Sequence, residues 1–329
     1  MNRLLAIQES AAFRWLRSTV VRFMPWISLA AGLWSAFGFV RRYEQARIVA
    51  WMLAGAWLVA FVLASLRWWA AKRRNPSRWL RFGDFALVWT AQNLSQEILF
   101  FTIPFWVRST TWSSRNAIFT SLLFALAATT LFDPLYFGKI AARTRLLLVH
   151  KALVAFAGLA FVVPALAGAH TSEALAVAGG LAGATAGLAV GGRRWIRTSA
   201  TGGVVGVLAS IAASGWIPPV PLRVESGVIA KGVHGRIPSD TLSVAATGTE
   251  LWAWTPVFAP AGLSDTVVHR WYRDDRLVAE IPLALRGGRK DGFRTWSSSR
   301  RAADAPGEVR LDVSTNGGQL VGRMTIPVR

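Results

Sequence analysis

The stretch DFALVWTAQNLSQEILFFTIPFW, residues 84–106, has the length of a membrane-spanning helix, yet it carries a cluster of polar side chains. Gln92, Asn93 and Gln96 fall on one face of a helix, and Glu97 lies one turn beyond Asn93. Buried carboxylates and carboxamides are costly in a bilayer, so these side chains must face protein or water. The stretch therefore predicts a helix around which other helices pack.

Asp133 in the next apolar run completes this intramembrane polar cluster, which has two interpretations. In the first, the cluster is a pocket or ion path, and the protein is a transporter or membrane enzyme that handles a lipid-linked or small polar substrate around Glu97. In the second, the side chains form a structural hydrogen-bond cluster that fixes helix packing. The sequence leaves both open for Glu97 and favours the structural interpretation for Asp133.

Composition narrows the class of protein. The chain has 329 residues, is 53% hydrophobic and has a mean hydropathy of +0.37, with the apolar residues gathered into long runs. The absence of cysteine excludes disulfides and thiolate metal sites. The net charge of +20 does not indicate nucleic-acid binding, because the basic residues cluster between apolar runs and no recognition motif accompanies them. We predict no catalytic motif, cofactor or metal site.

Seven apolar runs fit the roughly 20 residues that a bilayer-spanning helix needs. The predicted fold class is thus a polytopic α-helical membrane domain of about seven transmembrane helices. The runs are Phe23–Val40, Ile48–Trp69, Phe85–Trp106, Ala117–Phe137, Leu146–Leu166, Glu173–Val190 and Gly202–Trp216.

Lys and Arg in the short connections predict the orientation. With the N-terminus inside, the inner segments carry most of these residues. The chain is then divided into a basic cytoplasmic or interfacial segment (1–22), a transmembrane bundle (23–217) and an extracytoplasmic domain (222–329). In a Gram-negative bacterial cell this corresponds to the inner membrane, with the last domain in the periplasm. We expect membrane lipid as a partner.

Small residues recur every four positions in the last two runs, at Gly179, Gly183 and Gly187 and again at Gly202 and Gly206. Such stripes let helix backbones approach closely. We expect these two helices to pack on each other or on the core pair. Contact between copies of the chain through Gly179, Gly183 and Gly187 is the alternative.

The region 222–329 changes to the pattern of a β domain. Val309, Leu311 and Val313 alternate with polar residues, and Asn316-Gly317 follows, which is the strongest short hairpin signal. A second hairpin is predicted to turn at Asp274-Asp275. About seven short strands are expected, which indicates an immunoglobulin-like sandwich.

Aromatic and basic side chains on these strands form a candidate ligand surface for an envelope glycan or protein partner. Buried tryptophans in a sandwich core are the more common case, and both interpretations stay open. The residues are Trp252, Trp254, His269, Trp271, Arg294 and Trp296.

One segment resembles a known family. HRWYRDDRLVAEIPLALRGGRKDGFRTWSS (269–298), with the closing GQLVGRMTIPV (318–328), resembles the bacterial domain of unknown function 2914. The stretch QEILFFTIPFW with the later DPLY is similar to the uncharacterised multi-span region often found ahead of that domain. The resemblance implies an envelope protein and supplies no catalytic residues. The first hypothesis is therefore an integral inner-membrane protein whose periplasmic sandwich binds a ligand or partner, with the helical bundle as anchor or signal relay.

Overall fold

The chain folds into a helical part followed by a β sandwich. The segment preceding position 23 and most of the first two predicted spans lie outside the described residues. The computed structural model describes residues 23, 26, 30, 48–55, 78–132, 135–190, 194–289 and 291–329.

The helices of the described part fall close to the predicted apolar runs. A π-helical turn at Tyr136–Ala141 and a 3-10 turn at Ser214–Trp216 supplement them, and residues 48–55 are also helical. Gly168 ends the third helix in the left-handed conformation (φ 64°), and its N–H donates to Pro164 O. The helices are α1 (Arg78–Ser109), α2 (Asn116–Leu131), α3 (Thr144–Ala167), α4 (Thr171–Val190) and α5 (Trp195–Ala212).

Aromatic side chains hold the first three of these helices together. The rings of Trp106 on α1 and Phe119 on α2 have centroids 5.0 Å apart, and Phe119 makes an edge contact with Phe156 on α3 at 5.8 Å. Trp106 is completely buried, as is Phe161 of α3, whose ring lies 4.4 Å from that of Phe105. The apolar runs thus form one core, to which α4 also contributes through Leu175 and Ala178.

The prediction of about seven transmembrane helices is wrong. In the part of the chain that the structure describes, one helical stretch, Arg145–Ala167 in α3, is long and apolar enough to cross a membrane. In the described part of α1, Gln96 and Glu97 interrupt the apolar sequence. At 1.5 Å per residue, the 16 residues of α2 extend only about 24 Å, less than the bilayer's hydrocarbon thickness.

The glycine stripes pack α4 against α5, as predicted. A Cβ added at Gly183 would meet the carbonyl of Gly202, and one at Gly179 would meet the carbonyl of Gly206. Ser210 continues the stripe and donates from its hydroxyl to Leu175 O at 3.0 Å. The first stripe is therefore covered within the chain, while contact between copies stays a prediction.

The β domain is a two-layer antiparallel sandwich, which agrees with the predicted β character of this region. One sheet has five strands. Its central strand β4 pairs with β7 along one edge and with β1 and β2 along the opposite edge, and β3 pairs with β2. The second sheet has four strands in the order β6-β5-β8-β9. The strands are β1 (Arg223–Val224), β2 (Val228–His234), β3 (Ile237–Thr241), β4 (Leu251–Phe258), β5 (Ser264–Arg273), β6 (Arg276–Arg286), β7 (Phe293–Ser299), β8 (Gly307–Thr315) and β9 (Leu320–Val328).

Both predicted hairpins are confirmed. β5 and β6 join at Asp274 and Asp275, whose φ angles of 44° and 65° suit the turn that matches strand twist. β8 and β9 join across residues 316–319, where Gly318 has φ 84°. The side chains of Trp271 and Leu311 point inward from the four-stranded sheet, and that of Val257 points inward from the five-stranded sheet.

Candidate functional site

Three helix connections meet one end of the sandwich. Asn116, at the start of α2, donates from Nδ2 to Leu320 O at 3.2 Å. Gln319 donates from Nε2 to the carbonyls of Ile217 and Pro218, both at 3.2 Å. Because these side chains are buried, the helical part and the sandwich share a packed junction.

The third connection, between α3 and α4, contacts the sandwich through Asp265. The Asp265 carboxylate accepts from the backbone N–H of Thr171 at 3.2 Å and lies 3.0 Å from His170 Nδ1. The hydrogen bond to Asp265 raises the pKa of His170. Gly168 approaches Gly262 so closely that a Cβ would meet its carbonyl, so the two parts are in backbone contact here.

A cleft of about 830 Å³ opens beside this junction. One wall is the loop before α2, and the other is the outer face of the four-stranded sheet. We name it the arginine cleft, after four arginines among its lining residues. These residues are Ser113, Ser114, Arg115, Ile118, Gly215, Arg270, Tyr272, Arg310, Asp312, Ser314, Gly318, Leu320 and Arg323.

A row of alternating charges crosses the sheet wall of the arginine cleft. Strand register places Glu280 opposite Arg270, Arg270 opposite Asp312, and Asp312 opposite Arg323. Arg323 donates to both oxygens of Asp312, at 2.7 and 2.8 Å, and Arg270 Nη2 donates to Glu280 at 3.0 Å. The hydrogen bond to Asp312 raises the pKa of Arg323. Opposite charges on directly paired strand positions attract each other, which holds both guanidinium groups in fixed positions.

The other two arginines are placed by aromatic rings. The guanidinium carbon of Arg310 lies 4.4 Å from the ring centroid of Tyr272, and that of Arg115 lies 5.5 Å from the ring of Trp216. Arg310 also pairs with Asp275 at the edge of the sheet. Since Asp312 is the one carboxylate among the lining residues, the wall is net positive.

The residues of the predicted ligand surface do not lie together, because some face the core of the sandwich and the others face its exterior. His269 and Trp271 share a strand face, as expected, but that face is the core, and both are completely buried. His269 Nε2 lies 2.9 Å from Thr255 Oγ1 and Nδ1 lies 2.8 Å from Ser297 Oγ. Burial lowers the pKa of His269 to about 4. These two side chains therefore link the sheets and do not reach a ligand at the surface.

The remaining members lie on the outer face of the five-stranded sheet. Trp254 pairs directly with Trp296, Trp252 is two residues along the same face, and Arg294 is exposed beyond them. Trp254 Nε1 donates to Arg236 O at 3.0 Å. The three tryptophans are partly exposed, so this half of the predicted surface remains accessible, on the sheet opposite to that of the arginine cleft.

The predicted intramembrane polar cluster is described in part. Gln96 is buried and Glu97 is half-buried. Asp133 lies outside the described residues, and the structure does not describe the side chains of Gln92 and Asn93. Glu97 lines neither the arginine cleft nor a second cleft of about 590 Å³ between α4 and α5.

Sequence reasoning missed a polar cluster beside Gln96. Lys151 of α3 donates to Ser95 of α1, and its ammonium lies 5.9 Å from the ring centroid of Tyr136. His150 is also buried, with its ring in edge contact with Tyr136 at 5.6 Å. The one available signal was the polar His150-Lys151 pair within an apolar run. Snorkelling of these side chains to the membrane surface is the more common explanation of such a pair, and it does not predict a buried cluster.

Comparison with known families places the chain. The sequence model of a family of unknown function, DUF5924, matches residues 5–250, more than half of the 329 residues. The chain belongs to the DUF5924 family. In this DUF5924 protein, residues 264–326 also match a family described as protein of unknown function, DUF2914, which confirms the resemblance of the C-terminal region. The DUF5924 match extends beyond the helices into β1, β2 and β3.

Two solved structures show a weak likeness to the DUF5924 protein. The beta-glucosidase from Listeria innocua in complex with glucose is 13% identical with a TM-score of 0.22, over 32% of this chain and 15% of the enzyme. The Pseudomonas fluorescens alkylpurine DNA glycosylase AlkC bound to DNA containing an abasic site analog is 11% identical with a TM-score of 0.23, over 88% of this chain and 98% of AlkC. At these scores neither likeness carries an argument about fold or function. The comparison with curated proteins found no match.

Proposed function

We propose that this DUF5924 protein is a membrane-anchored binding protein of the bacterial envelope that holds an anionic ligand in the arginine cleft. The observation that carries the proposal is the lining of that cleft, four arginines against one carboxylate. Arginine presents up to five N–H donors in a rigid fork, which matches the oxygens of phosphate or carboxylate groups.

Donors remain for a ligand after the internal contacts are counted. Arg323 uses Nε and Nη2 on Asp312, which leaves Nη1 without a hydrogen bond to that carboxylate. Arg115 has no carboxylate partner among the described residues and is held by its contact with Trp216. An anion between Arg115 and Arg323 would contact the helical part and the sandwich at once. Such a ligand would couple the two parts, which is the basis for a relay.

The anchor in this proposal is α3. Exposed Lys139, Arg143 and Arg145 surround its start, and the connection at its other end, residues 168–170, contains no Lys or Arg. Cytoplasmic connections carry the excess of Lys and Arg, so the start of α3 belongs inside. The sandwich contacts the other end of α3 through Gly168, which supports a position outside the inner membrane, on the periplasmic side.

The proposal predicts saturable binding of inorganic phosphate to the purified full chain in detergent, measured by titration calorimetry. Arg115→Gln removes one charged donor and should weaken binding about tenfold, since a hydrogen bond to a charged group contributes about 1.5–3 kcal/mol. Arg115→Lys keeps the charge and should recover part of the affinity.

Arg286→Gln is the matched control, because Arg286 is exposed on β6 and does not line the arginine cleft. It should bind phosphate as the parent does. Equal affinity in the parent and Arg115→Gln, or equal losses in both variants, would contradict a specific anion site in the cleft.

A further inference from the structure

The apolar surroundings of the arginine cleft narrow the class of its ligand. Resting on the proposed function, we infer that the anion is the phosphate headgroup of a membrane lipid, whose acyl chain lies along an exposed apolar face of α2. A free phosphate would need only the arginines. The lining of the cleft also contains Ile118, whose residue surface is 58% exposed.

The exposed face continues along the helix from the arginine cleft. Leu122 is 46% exposed one turn beyond Ile118, and Ala125 is exposed three residues later. Residues spaced by four and three lie on the same side of a helix. We name Ile118, Leu122 and Ala125 the apolar track. Because Asn116 at the start of α2 contacts the sandwich, the track leads away from the sandwich.

The level of the arginine cleft fits that of lipid headgroups. The end of α3 and the start of α2 both contact the sandwich, through Gly168 and Asn116, so they lie at the same end of the helical part. When α3 crosses the bilayer, this end is at the outer interface, where headgroup phosphates lie. The arginines then face the headgroups, and the apolar track enters the hydrocarbon region.

Aromatic residues flank the arginine cleft as they flank membrane interfaces. Trp112, in the loop before α2, is 56% exposed, and Trp216, beneath the Arg115 guanidinium, is 44% exposed. Exposed tryptophans are enriched where protein meets the bilayer surface, because the ring is apolar and its N–H is polar. The arginines thus match the phosphate of an anionic lipid, and the apolar track matches its acyl chain. The two exposed tryptophans suit the interface between these two parts of the lipid.

The test uses the purified full chain in dodecyl maltoside and three probes: phosphatidylglycerol, glycerol phosphate and inorganic phosphate. Apparent Kd values are measured by microscale thermophoresis. We expect phosphatidylglycerol to bind at least about tenfold more tightly than glycerol phosphate, since its acyl chain adds contacts with the apolar track that glycerol phosphate cannot make. Arg115→Gln should weaken all three, whereas Leu122→Ser should weaken phosphatidylglycerol alone. Leu181→Ser, on an exposed position of α4 outside the cleft, is the control and should change none of them.

The outcomes separate the two proposals. Equal affinities for phosphatidylglycerol and glycerol phosphate, both reduced by Arg115→Gln and unchanged by Leu122→Ser, would overturn the lipid and leave the anion site standing. Lipid binding that is insensitive to both variants would identify a nonspecific lipid shell and overturn the inference. Failure of all three probes to bind would overturn the anion site itself.

Discussion

At the scale of single residues, His269 makes the stability of the sandwich depend on pH. An unfolded histidine has a pKa of about 6.5, whereas burial lowers that of folded His269 to about 4. Its contribution is present above pH 6.5 and is lost as the pH falls toward 4, because the unfolded chain then binds the proton more readily. The gap corresponds to about 3 kcal/mol. We expect urea unfolding of the full chain, followed by tryptophan fluorescence, to show this loss between pH 7 and 4.5.

Two substitutions check the assignment to His269. His269→Gln should be less stable than the parent at pH 7, because it perturbs the contacts with Thr255 and Ser297, but its stability should change less on acidification. His234→Gln replaces an exposed imidazole of the same domain and keeps the buried contacts. A His269→Gln protein that loses as much stability as the parent would place the pH dependence elsewhere.

Residue patterns predicted part of this chemistry. Alternation along β5 correctly placed His269 and Trp271 on one face, but which face packs on the second sheet depends on residues such as Thr255 that are distant in sequence. The sequence could not predict the arginine cleft either, because its lining residues are also distant from each other in sequence. Arg115 follows a helix loop and Arg323 lies on the last strand, and each alone resembles an ordinary surface arginine.

At the scale of elements, the α4–α5 pair gives a direct test of close packing. Gly183→Leu should destabilise the helical part by about 1–3 kcal/mol or more, because its side chain would occupy the space of the Gly202 carbonyl and separate the helices. Leu181→Ala, at a 51% exposed position two residues away, should change stability by only about 0.5 kcal/mol. Thermal unfolding in detergent, followed by circular dichroism, measures both. Similar effects would show that the glycine contact is unimportant.

The elements themselves were largely predictable because their signals are local. Turn residues and alternation identified the β5–β6 and β8–β9 hairpins, and four-residue spacing identified the α4–α5 stripe. The number of membrane spans was not predictable from local signals, because apolar runs also occur in helices that bury their apolar face in protein. The fully buried Leu99 and Trp106 of α1 are examples, since their contacts are with neighbouring helices.

At the scale of the whole molecule, the proposed topology predicts which surfaces are reachable from outside the cell membrane. Because the sequence contains no cysteine, a single introduced cysteine is the one thiol in the chain that a maleimide can label. In spheroplasts, a membrane-impermeant maleimide should label Ser243→Cys, which is exposed in the sandwich, and leave Ala142→Cys, exposed before α3, unlabelled. Both should react after detergent lysis. Labelling of Ala142→Cys alone in intact spheroplasts would invert the proposed orientation.

The junction between the helices and the sandwich also constrains the order in which the chain acquires its structure. Its hydrogen bonds join positions 94, 102 and 204 residues apart in sequence. During synthesis, Asn116 therefore leaves the ribosome long before its acceptor at Leu320 exists. Contacts of such long range form slowly, because the intervening chain loses conformational freedom before the contacts reward it. Until then water must satisfy the side-chain amide of Asn116, and the synthesis of strand β9 supplies its protein acceptor.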